Sequence, residues 1–287
     1  MESTKKNGVG GEDRQTRACM LTIAGLDPSG GAGIAADLRA AHAAQVWGCA
    51  VCAVITVQST AGLVSATAVE SGLVRAQAEE VLANERVLAI KTGALGSTEN
   101  VEVATEILKK FAGTSVVDPV MIATRSENGA RLLDGQALAA MRRLISVATV
   151  VTPNVDEAEA LLDGRIACED DLERSARMLV RMGARAALVK GGHLRGSESI
   201  DVLAIGDRIV RLAEPRVSGP EFHGGGCSFA SLIAAKLASE GSAIVDVDAI
   251  ERASVWAKRC LSRSIARAQR IGKGLQVLDL LQATCSS

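Results

Sequence analysis

From residue 19 onward, short apolar runs alternate with amphipathic stretches of helix length, and this alternation restricts the possible folds more than any other feature of the chain. The runs Cys19–Gly25, Cys49–Val57, Val87–Thr92, Ser115–Asp118, Thr149–Thr152 and Ala186–Lys190 read as strands. Helical spacing occupies the segments near 32–46, 73–84, 98–111, 135–146, 154–162 and 169–182. A strand that returns through a helix must lie parallel to its neighbour, so the pattern predicts an α/β fold, doubly wound on a mainly parallel sheet. Val202–Ile205 and Ile209–Leu212, split by Gly206-Asp207-Arg208, predict an antiparallel hairpin. No repeat or Pro-rich linker interrupts the pattern, so residues 18–287 are expected to form a single domain. Residues 1–17 are polar, have no apolar signal core, and are expected to be a disordered tail.

Composition then removes several function classes. Hydrophobic residues make up 48% of the chain but aromatics only 2%, with no tyrosine, so the core must come from Ala, Val, Leu and Ile. That scarcity also argues against a base-stacking surface, and a formal net charge of −1 gives no electrostatic reason to expect nucleic acid. No apolar run reaches the roughly 18 residues a membrane span requires. Seven cysteines, an odd number scattered along the chain, do not make a disulfide framework and point to the reducing cytoplasm. Cys49 and Cys52 form a C-x-x-C, but on a strand they face opposite ways, so they are expected to be small buried side chains, not a redox or zinc pair. In the last helical stretch, 244–270, Ala253, Trp256, Ala257, Cys260, Leu261, Ile265 and Ala268 share one face. Arg252, Arg259, Arg263, Arg267 and Arg270 stripe the other, which reads as solvated.

Ligands of open α/β sheets bind beyond the carboxyl ends of the strands. Those ends read G-L-D-P-S-G-G-A-G, V-Q-S-T, K-T-G-A-L-G, V-D-P-V-M, T-P-N-V-D-E and V-K-G-G-H, far more glycine, amide and carboxylate than loops alone require. Gly31-Ala-Gly33-Ile-Ala-Ala36 fits a loose dinucleotide fingerprint, but its first glycine lies six residues past the strand end. No acid follows about twenty positions later, so a nicotinamide site is rejected.

The segment E-F-H-G-G-G-C-S-F-A-S-L-I-A-A, residues 221–235, carries more weight. A helical pattern begins at Cys227, so Gly224, Gly225 and Gly226 supply the turn at a helix start. There the first amides lack internal partners and glycine lets an anion approach. This suits a phosphoryl group. Cys227 beside the positive helix end is expected to have a lowered thiol pKa, and to act either as a base or as a wall of the anion hole. A structural glycine turn with a buried cysteine is the competing reading. Lys190 at its strand end can offer an ammonium to phosphate, or simply pair with an acid. Asp118 and Glu157 are candidate carboxylates for magnesium, which needs few protein ligands, with Asp118 also placed at the phosphate site. Asn154 and Glu157 also spell a helix N-cap and capping box, and both roles are compatible.

Together, T-I-A-G-L-D-P-S-G-G-A-G-I-A-A-D-L, V-D-P-V-M, T-P-N-V-D-E-A, V-K-G-G-H and H-G-G-G-C-S-F resemble, in this order, the hydroxymethylpyrimidine/phosphomethylpyrimidine kinases of thiamine biosynthesis, within the ribokinase-like superfamily. The resemblance implies a three-layer α/β/α fold and an enzyme using ATP and Mg2+. Its substrate would be 4-amino-5-hydroxymethyl-2-methylpyrimidine, phosphorylated twice, and the protein a homodimer. By motif, Gln58 matches the pyrimidine-binding glutamine, Gly25, Ala94 and Val120 line the ring pocket, and Cys227 matches the catalytic cysteine. Asn154 and Glu157 match the N-x-x-E element on the magnesium side, and Lys190 the phosphate-side lysine. Three departures stand out: Gly225 replaces a usual threonine, Ala94 replaces a methionine, and the A-T-R-S-E-N-G-A-R-L-L stretch replaces a shorter loop. Pyridoxal or pyridoxine kinase is the alternative on the same fold, and a catalytically weak pyrimidine-binding regulator is the alternative from another class.

Overall fold

The computed structural model describes residues 16–121, 137–192, 194–219 and 221–281. Its strands are Cys19–Leu26 (β1), Trp47–Ser59 (β2), Gly62–Ala68 (β3), Val87–Thr92 (β4), Thr114–Val117 (β5), Val150–Val151 (β6), Ala186–Lys190 (β7), Glu198–Ile205 (β8), Arg208–Pro215 (β9), Phe222–His223 (β10) and Gln276–Val277 (β11). The helices are Gly33–Ala43 (α1), Ser71–Asn84 (α2), Thr98–Lys110 (α3), Leu138–Ile145 (α4), Val155–Leu162 (α5), Glu169–Arg181 (α6), Gly225–Ser239 (α7) and Val247–Ala266 (α8). Nine strands form one sheet in the order β3-β2-β1-β4-β5-β6-β7-β8-β9. The pairs from β2 through β7 are parallel, while β3 and the β8–β9 hairpin add antiparallel edges.

Adjacent residues on β1 enter different cores, as the period of two requires. Leu21 and Ile23 join the cluster packed by α2 to α6, and Met20 joins the cluster packed by α1, α7 and α8. The result is three layers. Because β1 has β2 on one side and β4 on the other, the side on which the chain adds parallel strands switches at β1, and a crevice opens beyond its carboxyl end.

All six expected parallel strands form, and the hairpin is longer than its apolar centre suggests. The strand β3 went unforeseen because its G-L-V-S-A-T-A is mostly exposed and only Leu63 is fully buried. Cys49 and Cys52 are half-buried, not fully buried, since β2 lies next to the sheet edge. The six described cysteines are free. The arginine stripe of α8 is exposed, although the helix ends at Ala266, short of the expected 270. The expected tail and the A-T-R-S-E-N-G-A-R-L-L stretch lie outside the described residues, apart from Thr16 and Arg17. Among the described residues no helix is long and apolar enough to cross a membrane.

Candidate active site

A cavity of about 1140 Å³ lies along the carboxyl edge of the sheet. It gathers Gly25, Gln58, Ala94, Asp118, Val120, Asn154, Glu157, Lys190, Gly224, Gly225, Gly226 and Cys227, so every residue singled out from the sequence lines one space.

Its centre is the start of α7. Gly224 is the N-cap with φ of +81°, and a side chain there would collide with the Gly31 carbonyl, so this glycine is required both by conformation and by space. The next residues offer amides that have no carbonyl one turn earlier. Lys190 comes up beside them: its Nζ lies 3.1 Å from where a Cβ on Gly226 would stand. The same ammonium donates to Asp118 Oδ1 at 2.9 Å. Burial opposes its charge, but Asp118 and Glu157 outweigh that and hold its pKa above the ordinary lysine value. The acidic partner expected for Lys190 is therefore present, and it coexists with a place beside the helix terminus. Asp118 thus reaches the cavity as the partner of Lys190, on the same wall as the α7 terminus.

Asn154 and Glu157 form a complete capping box on α5. The Asn154 amide donates to Glu157 Oε2 and the Glu157 amide to Asn154 Oδ1, both at 2.8 Å. Burial pushes the Glu157 carboxyl up to about 7, Lys190 works against that, and the negative Asp118 adds to it. Two carboxylates short of positive charge at a cavity wall suit a hard cation. Among the described residues no group of three or more His, Cys, Asp and Glu is arranged to hold a metal.

The thiol of Cys227 departs from expectation. Burial pushes it up to about 12, although Lys91 and the Gly33 amide work in the opposite direction. The desolvation of a half-enclosed sulfur outweighs the helix terminus, so the lowered pKa expected from position alone is corrected.

At one end of the cavity, Val120 and Leu63 form an apolar patch with Ala94 and Cys227. A Cβ on Gly25 would stand 3.5 Å from that of Ala94, so the two positions adjoin on the cavity wall that Gln58 also lines. At the other end Val217, Leu261 and Ile265 make a second apolar wall. There Lys258 is held by Asp201 at 2.7 Å and Ser199 at 3.1 Å, and Arg216 donates to four backbone carbonyls between Gly192 and Glu198. The expected departure at Gly225 also has a structural counterpart. A Cβ there would lie 2.5 Å from Phe222 Cε2, so the aromatic ring occupies the volume a larger residue would need.

The sequence reading passed over three elements of this site. Lys91 is fully buried and donates to both oxygens of Asp37, at 3.0 and 2.9 Å. Thr22 Oγ1 and Ser231 Oγ also donate to that carboxylate, at 2.6 and 2.5 Å. A lysine inside the apolar run V-L-A-I-K-T was the available signal. Lys258 was hidden on the inner side of an otherwise arginine-striped helix. The third is the contact of His223 with Asp27, at 2.8 Å, and with Gln58, at 3.2 Å. Asp27 could have been suspected from D-P-S, since Asp and Ser at this spacing bond each other's backbone.

The family model described as Phosphomethylpyrimidine kinase matches residues 27–279. The hydroxymethylpyrimidine/phosphomethylpyrimidine kinase of Rhizobium meliloti (strain 1021) is 41% identical over 262 residues, covering 90% of this chain and 94% of that protein. Among solved structures, the pyridoxal kinase from Staphylococcus aureus in complex with AMP-PCP and pyridoxal superposes with a TM-score of 0.80 at 28% identity, covering 93% of this chain and 94% of that one. The phosphomethylpyrimidine kinase from Clostridium difficile 630 gives a TM-score of 0.70 at 31% identity, covering 87% of this chain and all of that one (100%).

Proposed function

Because the chain belongs to the phosphomethylpyrimidine kinase family, we propose that it transfers the γ-phosphoryl group of ATP to the hydroxymethyl oxygen of 4-amino-5-hydroxymethyl-2-methylpyrimidine, and then phosphorylates the monophosphate so formed. The observation that carries this reading is the meeting of Gln58, Lys190 and the α7 amides in one cavity. The ring lies against Gln58, Gly25, Ala94 and Val120, the nucleoside lies toward Leu261 and Ile265, and the phosphates cross the middle. Glu157 and Asp118 would hold Mg2+, which supplies charge neutralisation to the phosphates.

In the first transfer, a bond forms between the hydroxymethyl oxygen and the γ-phosphorus, the bond to the β–γ bridging oxygen breaks, and ADP leaves. The hydroxyl proton passes to Cys227 Sγ once that sulfur is a thiolate. Lys91 and the Gly33 amide favour the thiolate, while burial makes it a strong base. Amides of Gly225 to Cys227 and the Lys190 ammonium take up the charge that develops on the transferred group. Since the ionised fraction is small at neutral pH, turnover should climb as pH rises from 7 toward 9.

The test is ADP release in a coupled assay. The pyrimidine should support turnover, and Cys227→Ala should abolish it with little change in pyrimidine affinity. Near-full activity of that variant would remove the cysteine from the mechanism. The TM-score of 0.80 to a pyridoxal kinase supports a second reading, in which pyridoxal or pyridoxine is the acceptor. Faster turnover of that ring than of the pyrimidine would favour it. Ligand binding without ADP release from either would instead indicate a binding protein. A homodimer is supported by exposed Trp47, Ile55, Val57 and Val64 on β2 and β3, and cytoplasmic action by the free cysteines; sedimentation and cell fractionation test these.

A further inference from the structure

Gln58 is an ambiguous reader by itself. Its amide carries a donor and an acceptor that exchange places on a half-turn about the last side-chain bond. An amide free to turn fits a donor–acceptor ring edge and its mirror image equally well, so selectivity requires something that fixes the turn. The structure supplies a candidate in a motif the reaction above does not use.

Asp27 stands just beyond β1, and its carboxylate is heavily engaged. It accepts from the Ser29 amide at 2.9 Å, the Ser29 hydroxyl at 2.8 and 3.0 Å, and the Ala32 amide at 3.0 Å. Burial works against its charge, but bonds from His223 and Ser29 prevail and hold the carboxyl below the usual range. An ionised Asp27 requires a donor opposite it, so His223 Nε2, 2.8 Å from Asp27 Oδ2, carries the ring proton. The Gln58 amide nitrogen, its Nε2, is placed 3.2 Å from that same His223 Nε2. With the ring proton on Nε2 this sets donor against donor, and a half-turn of the amide, which exchanges its nitrogen and oxygen, lets the carbonyl oxygen share the Nε2 hydrogen with Asp27. The histidine ring has little freedom to turn. A Cβ on Gly31 would lie 2.5 Å from its Cδ2 and 3.2 Å from Val277 Cγ1, and His223 pairs with Val277 across the β10–β11 ribbon.

We infer that the Asp27–His223 pair is a positioning device that locks the Gln58 carbonyl toward Nε2, and thereby makes the site selective for a ring edge with an acceptor nitrogen beside an exocyclic amine. The inference rests on the pyrimidine reading above. With its oxygen bound on one side by His223, the amide offers its second lone pair to the amine and one N–H to the ring nitrogen. The pairing then exists in a single register. A pyridoxine edge, with a phenolic hydroxyl in place of the amine, gains nothing from that register.

The experiment uses the full chain with the pyrimidine, pyridoxine and ATP, and compares His223→Leu, His223→Gln and Asp27→Asn with wild type. The Gln variant keeps an N–H near the position of Nε2. The Asn variant no longer requires the Nε2 hydrogen to point toward position 27. His223→Leu and Asp27→Asn should each raise KM for the pyrimidine about tenfold, more than they lower kcat, with KM for ATP within twofold. The preference for pyrimidine over pyridoxine should shrink by the same factor, and His223→Gln should recover most of it. Combining His223→Leu with Gln58→Leu should add little to the single Gln58 change. An unchanged substrate preference in folded His223→Leu overturns the inference, as does a collapse of kcat at constant KM, which would make the histidine a proton carrier. If wild type turns over neither ring, the pyrimidine reading itself fails and takes this inference with it. Melting curves separate a folding loss, which would raise both KM values together and also count against the device.

Discussion

Two of the lysine–aspartate pairs at the cavity have their lysine at a strand end, Lys91 on β4 and Lys190 on β7, and they differ in how completely the protein satisfies them. Lys91 and Asp37 have side-chain exposures of 0% and 0%, and the carboxylate is completed by Thr22 from β1 and Ser231 from α7. Lys190 and Asp118 retain 11% and 2%, and next to them stands Glu157, a second carboxylate with no further cation of its own among the described residues. The first pair is saturated by protein and ties β1, α1, β4 and α7 together. The second leaves its charges unbalanced toward the cavity, where a metal and phosphates would balance them. Saturation, more than burial, separates a structural ion pair from a working one.

The comparison can be broken most sharply at Asp37. Asp37→Ala leaves the Lys91 ammonium buried without its partner and should cost about 3–5 kcal/mol in urea unfolding. A loss below about 1 kcal/mol would mean the pair does not hold the layers together. Lys190→Ala should act in the opposite sense, lowering kcat by about 10²–10³ while the folded protein still binds the pyrimidine. Activity within a factor of two of wild type would erase the distinction between the pairs.

A smaller effect concerns pH. The Glu157 carboxyl is raised in the folded protein, so the native state binds its proton more readily than the unfolded chain does. Stability of the ligand-free protein is therefore fully supported below the unfolded carboxyl value. It should fall, by about 3 kcal/mol, as pH rises from the unfolded carboxyl value through about 7. Magnesium affinity should rise over the same interval as the carboxylate forms. Glu157→Gln should flatten the stability slope in melts between pH 5 and 8, and a slope that persists would assign it elsewhere. The smallest effect tests the one departure in the phosphate loop. Gly225→Thr should raise KM for ATP about tenfold by displacing Phe222, and adding Phe222→Ala should restore it. Equal values in both variants would show that the ring does not set the loop.

The legibility of this molecule in its sequence follows the same division. The strands β1, β4 and β7 were readable because continuous apolar runs admit few alternatives, and the phosphate end was readable because Gly224 to Gly226 have few other uses before a helix. The β3 edge was not, since an exposed strand carries no strong period. The fully buried Lys91 lay in plain view within V-L-A-I-K-T, but its partner Asp37 is 54 residues away in sequence, a pairing only the fold brings about. The thiol of Cys227 misled for a similar reason. Position along a helix can be read from sequence, whereas the desolvation that outweighed it depends on what encloses the sulfur.

The ribbon of β10 and β11 has a temporal consequence. His223 is backed by Val277, and the Leu275 amide donates to the Thr60 carbonyl just past Gln58, so residues near the far end of the chain brace the ring-reading corner. During synthesis the large sheet and the α7 turn can form while residue 277 is still inside the ribosome. A nascent chain at that stage would have its α7 turn formed and this corner still unbraced, so ordering of the corner follows that of the turn.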